Sequence, residues 1–85
     1  TRPAKLVTIA PPVGRIITEP VPRPDCPWLI VQGDQDELID IEAVRTWARS
    51  FAPEPELTVI AGAEHFFHGK LGELRSSVLA FLRDV

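Results

Sequence analysis

Methionine is absent from the 85 residues, and the chain opens on Thr1. The missing initiator points to a processed or excised segment. Cysteine is nearly absent: Cys26 stands alone, so no internal disulfide can form. A reduced, cytoplasmic setting is the simplest reading. Cys26-Pro27 leads into an apolar run, so a buried, inert thiol is expected, with no base nearby in sequence to activate it. No apolar run approaches the ~20 residues of a membrane span. The N-terminus lacks the long apolar core of a signal peptide. Basic charge is sparse and scattered: 9 Lys and Arg against 12 Asp and Glu give a net charge of −3. Without a basic run, neither nucleic acid nor an anionic membrane is expected as a partner. What remains is an ordinary globular composition, 45% hydrophobic and 25% charged. A chain of this length is one domain or part of one. It buries only about 60–65% of the surface that its unfolded form exposes, which leaves a narrow margin of stability.

The stretch that organises the chain runs from Pro27 to Asp40. Trp28-Leu29-Ile30-Val31-Gln32 is almost continuously apolar, as in strands covered on both faces of a parallel sheet. It stops at Gly33. Carboxylates crowd the turn Asp34-Gln35-Asp36-Glu37, and Asp40 is suited to cap a following helix. Ile41, Val44, Trp47, Ala48 and Phe51 then fall at helical spacing. Arg45 and Arg49 form a second, solvated face, and Pro53 and Pro55 end the helix. Glu56 to Ala61 is a further strand. Before all of this, Lys5 to Ala10 reads as a short strand stopped by Pro11-Pro12. Six of the nine prolines fall between Pro11 and Pro27. Proline fixes φ and removes an amide donor, so this is an extended connector. It is either a surface crossover or a loop lining a pocket, and Ile16 and Ile17 are expected to pack. After Gly62 to Lys70, a turn with two histidines, Leu71, Leu74, Val78, Phe81 and Leu82 mark a final amphipathic helix ending near Arg83.

A strand, a capped helix and a strand form a βαβ unit, with parallel strands and a right-handed crossover. The expected fold class is α/β: a parallel, three-layer arrangement of three strands and two main helices. Two helices are few for three strands that read as buried on both faces, and bare edges invite association. The chain is therefore expected to pair with itself or to be one piece of a larger domain.

Parallel strands present their carboxyl ends at one edge, about 4.8 Å apart, and ligands of open α/β sheets bind there. Asp36 and His65 each follow a strand by a few residues, so their side chains can bond. A carboxylate on one imidazole nitrogen fixes the tautomer, and the other nitrogen is free to act as a general base. Asp34 or Glu37 could serve as the acid in place of Asp36. Asp34 has a simpler use in satisfying turn amides. Glu64, His65 and His68 are only a weak metal signal, since they are three potential ligands on one short loop without cysteine. No metal or cofactor is expected. His68 reads as solvated or capping. Phe66 and Phe67 are expected under the turn, where one could also line a pocket.

Gly33-Asp34-Gln35-Asp36-Glu37-Leu38-Ile39 resembles the acid turn of α/β-hydrolases, and Gly62-Ala63-Glu64-His65-Phe66-Phe67 resembles their histidine turn. The order acid, helix, histidine, helix is that of the carboxyl-terminal portion of that fold. Ile9-Ala10-Pro11-Pro12-Val13-Gly14 is similar to the preceding strand and loop in small, dienelactone-hydrolase-like serine hydrolases. The resemblance implies that residues 1–85 form the carboxyl-terminal part of such a domain. Asp36 and His65 would be the acid and base of a Ser-Asp-His triad cleaving a small ester or related acyl bond. The family's Gly-x-Ser-x-Gly is absent. Ser50, Ser76 and Ser77 are the only serines, and none is flanked that way. The nucleophile and oxyanion hole are thus expected in a missing amino-terminal part, and the chain alone is expected to be inactive. The alternative is a non-catalytic α/β interaction module whose edge, Lys5 to Ala10, recruits a partner strand.

Overall fold

The computed structural model describes residues 4–83; Thr1, on which the reading of the chain's start rested, lies outside them. Five elements follow in the order β1 (Leu6–Ile9), β2 (Trp28–Gly33), α1 (Ile41–Arg49), β3 (Glu56–Ile60) and α2 (Leu71–Arg83). The sheet order is β1-β2-β3, and both pairs are parallel.

All six residues of β2 are buried, because a central strand has two faces to cover. Trp28 and Ile30 point to one side, where they pack with Ile39, Val44, Ala48 and Phe51 of α1 and its flanks. Leu29 and Val31 point to the other, against Ile60, Ala63 and Phe67, with Leu74, Val78 and Phe81 of α2 resting on them. The period-2 alternation of one strand thus builds both interfaces of the three-layer fold.

Local chemistry sets the bounds of α1. The Asp40 carboxylate accepts from the Glu42 amide at 3.1 Å, as an N-cap does. At the other end the Ser50 hydroxyl donates to the Trp47 carbonyl at 2.6 Å. The helix ends at Arg49, before either proline, because Phe51 turns back onto the sheet. There Phe51, Trp47 and Trp28 meet edge to face, with centroids 4.9 to 5.3 Å apart. Each such pair adds about 0.5–1.5 kcal/mol beyond area burial. The Trp28 indole N–H also donates to the Thr8 hydroxyl at 3.0 Å, tying β1 to β2.

Several expected burials differ. The outer strands are only partly covered, since each has one neighbouring strand. Ile16 is 81% exposed, while Ile17 is half-buried and bridges Val13. Cys26 is half-buried, at the mouth of β2 and not within it. Leu71 and Leu82 are exposed. Leu82 lies at the rim of the stripe defined by Leu74, Val78 and Phe81, about 40° beyond Val78.

The two-sided core predicts a contrast. Ile30→Ala should lower unfolding free energy by about 2–5 kcal/mol and Ile30→Val by about 0.5–1.5. Ile16→Ala should stay within about 0.5 kcal/mol of wild type. Urea midpoints of the three variants check this.

Candidate active site

The three parallel strands end on one edge, and the turns after β2 and β3 lie side by side there. Their proximity begins at Gly33. A Cβ on Gly33 would stand 2.3 Å from the Ala63 carbonyl oxygen, inside any permitted contact, so only glycine allows this approach. Hydrogen bonds then join the two turns. The Asp34 amide donates to Ile60 O at 3.3 Å and the Gln35 amide to Ala63 O at 2.9 Å. Asp34 Oδ1 accepts from the Gly62 amide at 2.8 Å, and Glu37 Oε1 from the His65 amide at 3.3 Å. Asp34 does satisfy a turn amide, but one of the opposite turn.

Asp36 and His65 meet within this frame. Asp36 Oδ2 lies 2.8 Å from His65 Nδ1. A carboxylate only accepts, so Nδ1 carries the proton and Nε2 is left as the basic nitrogen. No hydrogen bond reaches Nε2 among the described residues. The Asp36 side chain is 1% exposed and that of His65 25%, so the acid is buried and the base reaches solvent. The carboxylate is fully bonded. Oδ1 accepts from the amides of Leu38 at 2.8 Å and Ile39 at 2.9 Å, and Oδ2 also accepts from Gln32 Nε2 at 2.9 Å. Burial opposes ionisation of Asp36, but the hydrogen bonds from His65, Gln32, Leu38 and Ile39 outweigh it. They hold the carboxyl below its ordinary range.

The other candidates fall elsewhere. The Glu37 carboxylate accepts from the backbone amide of His65 and makes no hydrogen bond to its ring among the described residues. His68 is 82% exposed on its side chain and pairs with Glu64 at 3.4 Å. The His68 amide on Glu64 Oε1, at 2.6 Å, is the main cause of a lowered Glu64 carboxyl. No group of three metal-ligating side chains occurs among the described residues. Ser50 is engaged at the end of α1, and Ser76 and Ser77 lie within α2. Phe67 is buried with φ at 58°, while Phe66 is 64% exposed and edge-on to His65 at 5.1 Å. The left-handed backbone at Phe67 sends its ring into the core and its predecessor outward, so the two do not both pack under the turn. A cleft of about 710 Å³ lies apart from this pair, between the proline-rich connector and α1. The sequence pattern marks Gln32 only as a strand residue. A polar side chain ending an apolar run, four positions before the acid, was the available signal.

A parallel three-layer sheet carrying an acid turn and a histidine turn on its carboxyl edge defines an α/β-hydrolase-type framework. Solved structures agree. An α/β serine hydrolase without a lid from Xanthomonas campestris is 39% identical, with a TM-score of 0.83 over 93% of this chain and 36% of its own. An α/β serine hydrolase homologue from Coxiella burnetii is 40% identical, with a TM-score of 0.79 over 96% of this chain and 38% of its own. No family model matches the sequence, and no curated protein does. The chain has the fold of these α/β serine hydrolases and spans little more than a third of the length of the two structures. No described helix is long and apolar enough to cross a membrane.

Two outcomes follow from the geometry. Gly33→Ala should force the turns apart, lowering stability by about 1–3 kcal/mol and breaking the single tautomer of His65 seen by ¹⁵N NMR. Unchanged ring signals would contradict the close-approach argument. Asp36 has a depressed pKa in the folded state, so its stabilisation is present above the unfolded value of about 3.9 and is lost as pH falls through the folded value. The stability gap between wild type and Asp36→Asn should therefore be wide at pH 7 and close in acid. A gap independent of pH, measured by urea unfolding across that range, would contradict it.

Proposed function

We propose that this chain is the carboxyl-terminal part of a serine hydrolase cleaving ester or related acyl bonds. In this reading Asp36 is the triad acid and His65 the general base. The observation that carries it is the 2.8 Å bond from His65 Nδ1 to a buried, four-fold bonded Asp36. His65 Nε2 takes the proton of a serine hydroxyl as it attacks the acyl carbon, and then returns it to the leaving group. Asp36 stays ionised, orients the ring and stabilises the imidazolium. Phe66, exposed and edge-on to His65, lines the acyl side of the site.

The nucleophile and the oxyanion hole belong to an amino-terminal part of the domain. Support comes from the serines: Ser50 closes a helix and Ser76 and Ser77 sit within another, with no hydrogen bond to His65 among the described residues. The outer edge of β1, which among the described residues pairs only with β2, supports continuation of the sheet by that part. The substrate is a small-molecule ester, and the lone cysteine fits a cytoplasmic setting.

In the complete protein, His65→Ala should lower turnover of an aryl ester on the order of 10⁴-fold or more, and Asp36→Asn should approach that loss because an amide supports the wrong tautomer. His68→Ala should change turnover only slightly, and residues 1–85 alone should leave the ester uncleaved. Circular dichroism verifies folding of each variant. Equal losses at His65 and His68 would favour a shared metal site, and an active His65→Ala would remove the base from the reading.

A further inference from the structure

Gln32 is fully buried, at 0% exposure, in a strand otherwise filled by Trp28, Leu29, Ile30 and Val31. An amide there costs free energy unless it is bonded. Its Nε2 donates to Asp36 Oδ2 at 2.9 Å and to the Gly33 carbonyl at 3.1 Å. Both partners only accept, so the amide's orientation is forced: turned over, Oε1 would face a carboxylate and a carbonyl. The result is that Oε1 is buried with no hydrogen-bond partner among the described residues. An orphaned acceptor is destabilising, and Leu or Met would fill the same space without one. The structure therefore tolerates a local cost that ends in one interaction, a donor on the same oxygen that receives His65 Nδ1.

That placement matters because Oδ2 accepts, among the described residues, from Gln32 Nε2 and His65 Nδ1 alone. The Leu38 and Ile39 amides hold only Oδ1. Without Gln32, the His65 ring would be left as the single direct donor to Oδ2 among the described residues.

We propose that Gln32 is a positioning residue for the acid–base pair: its side-chain amide fixes Asp36 Oδ2 where it accepts from His65 Nδ1, which keeps His65 in the tautomer with a basic Nε2. The effect on turnover rests on the hydrolase reading above; the effect on the ring does not.

Gln32→Met keeps the length of the side chain and removes the donor. In the complete protein, the ¹⁵N spectrum of the His65 ring should change from one tautomer to a mixture. The kcat for an aryl ester should fall on the order of 10–100-fold, with KM unchanged. A single Nδ1–H tautomer in the variant overturns the proposal whatever happens to kcat, because the loss would then have another cause. If His65→Ala proves fully active, the hydrolase reading fails separately, and the ring spectrum alone decides the role of Gln32. Should Gln32→Met not fold, the wild type supplies the test. Its Gln32 side-chain NH₂ signals should move with the titration of the Asp36 carboxyl in acid, and signals that ignore that titration overturn the proposal.

Discussion

Gly33 and Ala63 approach so closely that a single methyl group does not fit between them. The site hangs on this contact. Gly33 is the last residue of the central strand and pairs in register with Ile60, the last residue of β3. The turns that follow thus start side by side, and the lack of a side chain lets their backbones bond. Asp34 and Glu37 then reach across to the amides of Gly62 and His65. By the time Asp36 meets the His65 ring, the backbones carrying both are already located. A frame of backbone contacts holds such a carboxylate–imidazole pair in one geometry better than two mobile side chains would.

Beneath the turns, β2 does most of the positioning. One face binds α1 and the other α2, so its carboxyl end is fixed by both layers. The outer strands are less well covered, and α2 contributes no fully buried residue. Burial is therefore concentrated in the strand that leads to Asp36, while the periphery is exposed. This distribution fits a chain that carries little more than a third of the length of the matched structures.

Much of this was legible in the sequence, for reasons that differ by element. The apolar run Trp28 to Val31 signals a central strand because both its faces need apolar residues, and Asp40 signals α1 because capping is local chemistry. Asp36 and His65 were identifiable because each sits in a turn after a strand, and parallel topology brings such turns together. Gln32 was not, since a side-chain amide acts through distances that only the folded turn sets. The Gly33–Ala63 approach was hidden for the same reason: a glycine after a strand does not announce what lies against it. Hydrophobicity also failed to give direction. Ile16, Phe66, Leu71 and Leu82 are apolar and exposed. For Phe66 the cause is the left-handed backbone at the next residue, which turns only one of two adjacent rings inward.

The central claim is that Asp36 and His65 serve a nucleophile lying outside residues 1–85. Labelling the complete protein with a fluorophosphonate and locating the adduct by mass spectrometry tests it most directly. The account predicts a single adduct on a serine outside these residues, formed rapidly in the wild type and lost in His65→Ala. An adduct on Ser50, Ser76 or Ser77, or labelling undiminished in His65→Ala, would contradict it.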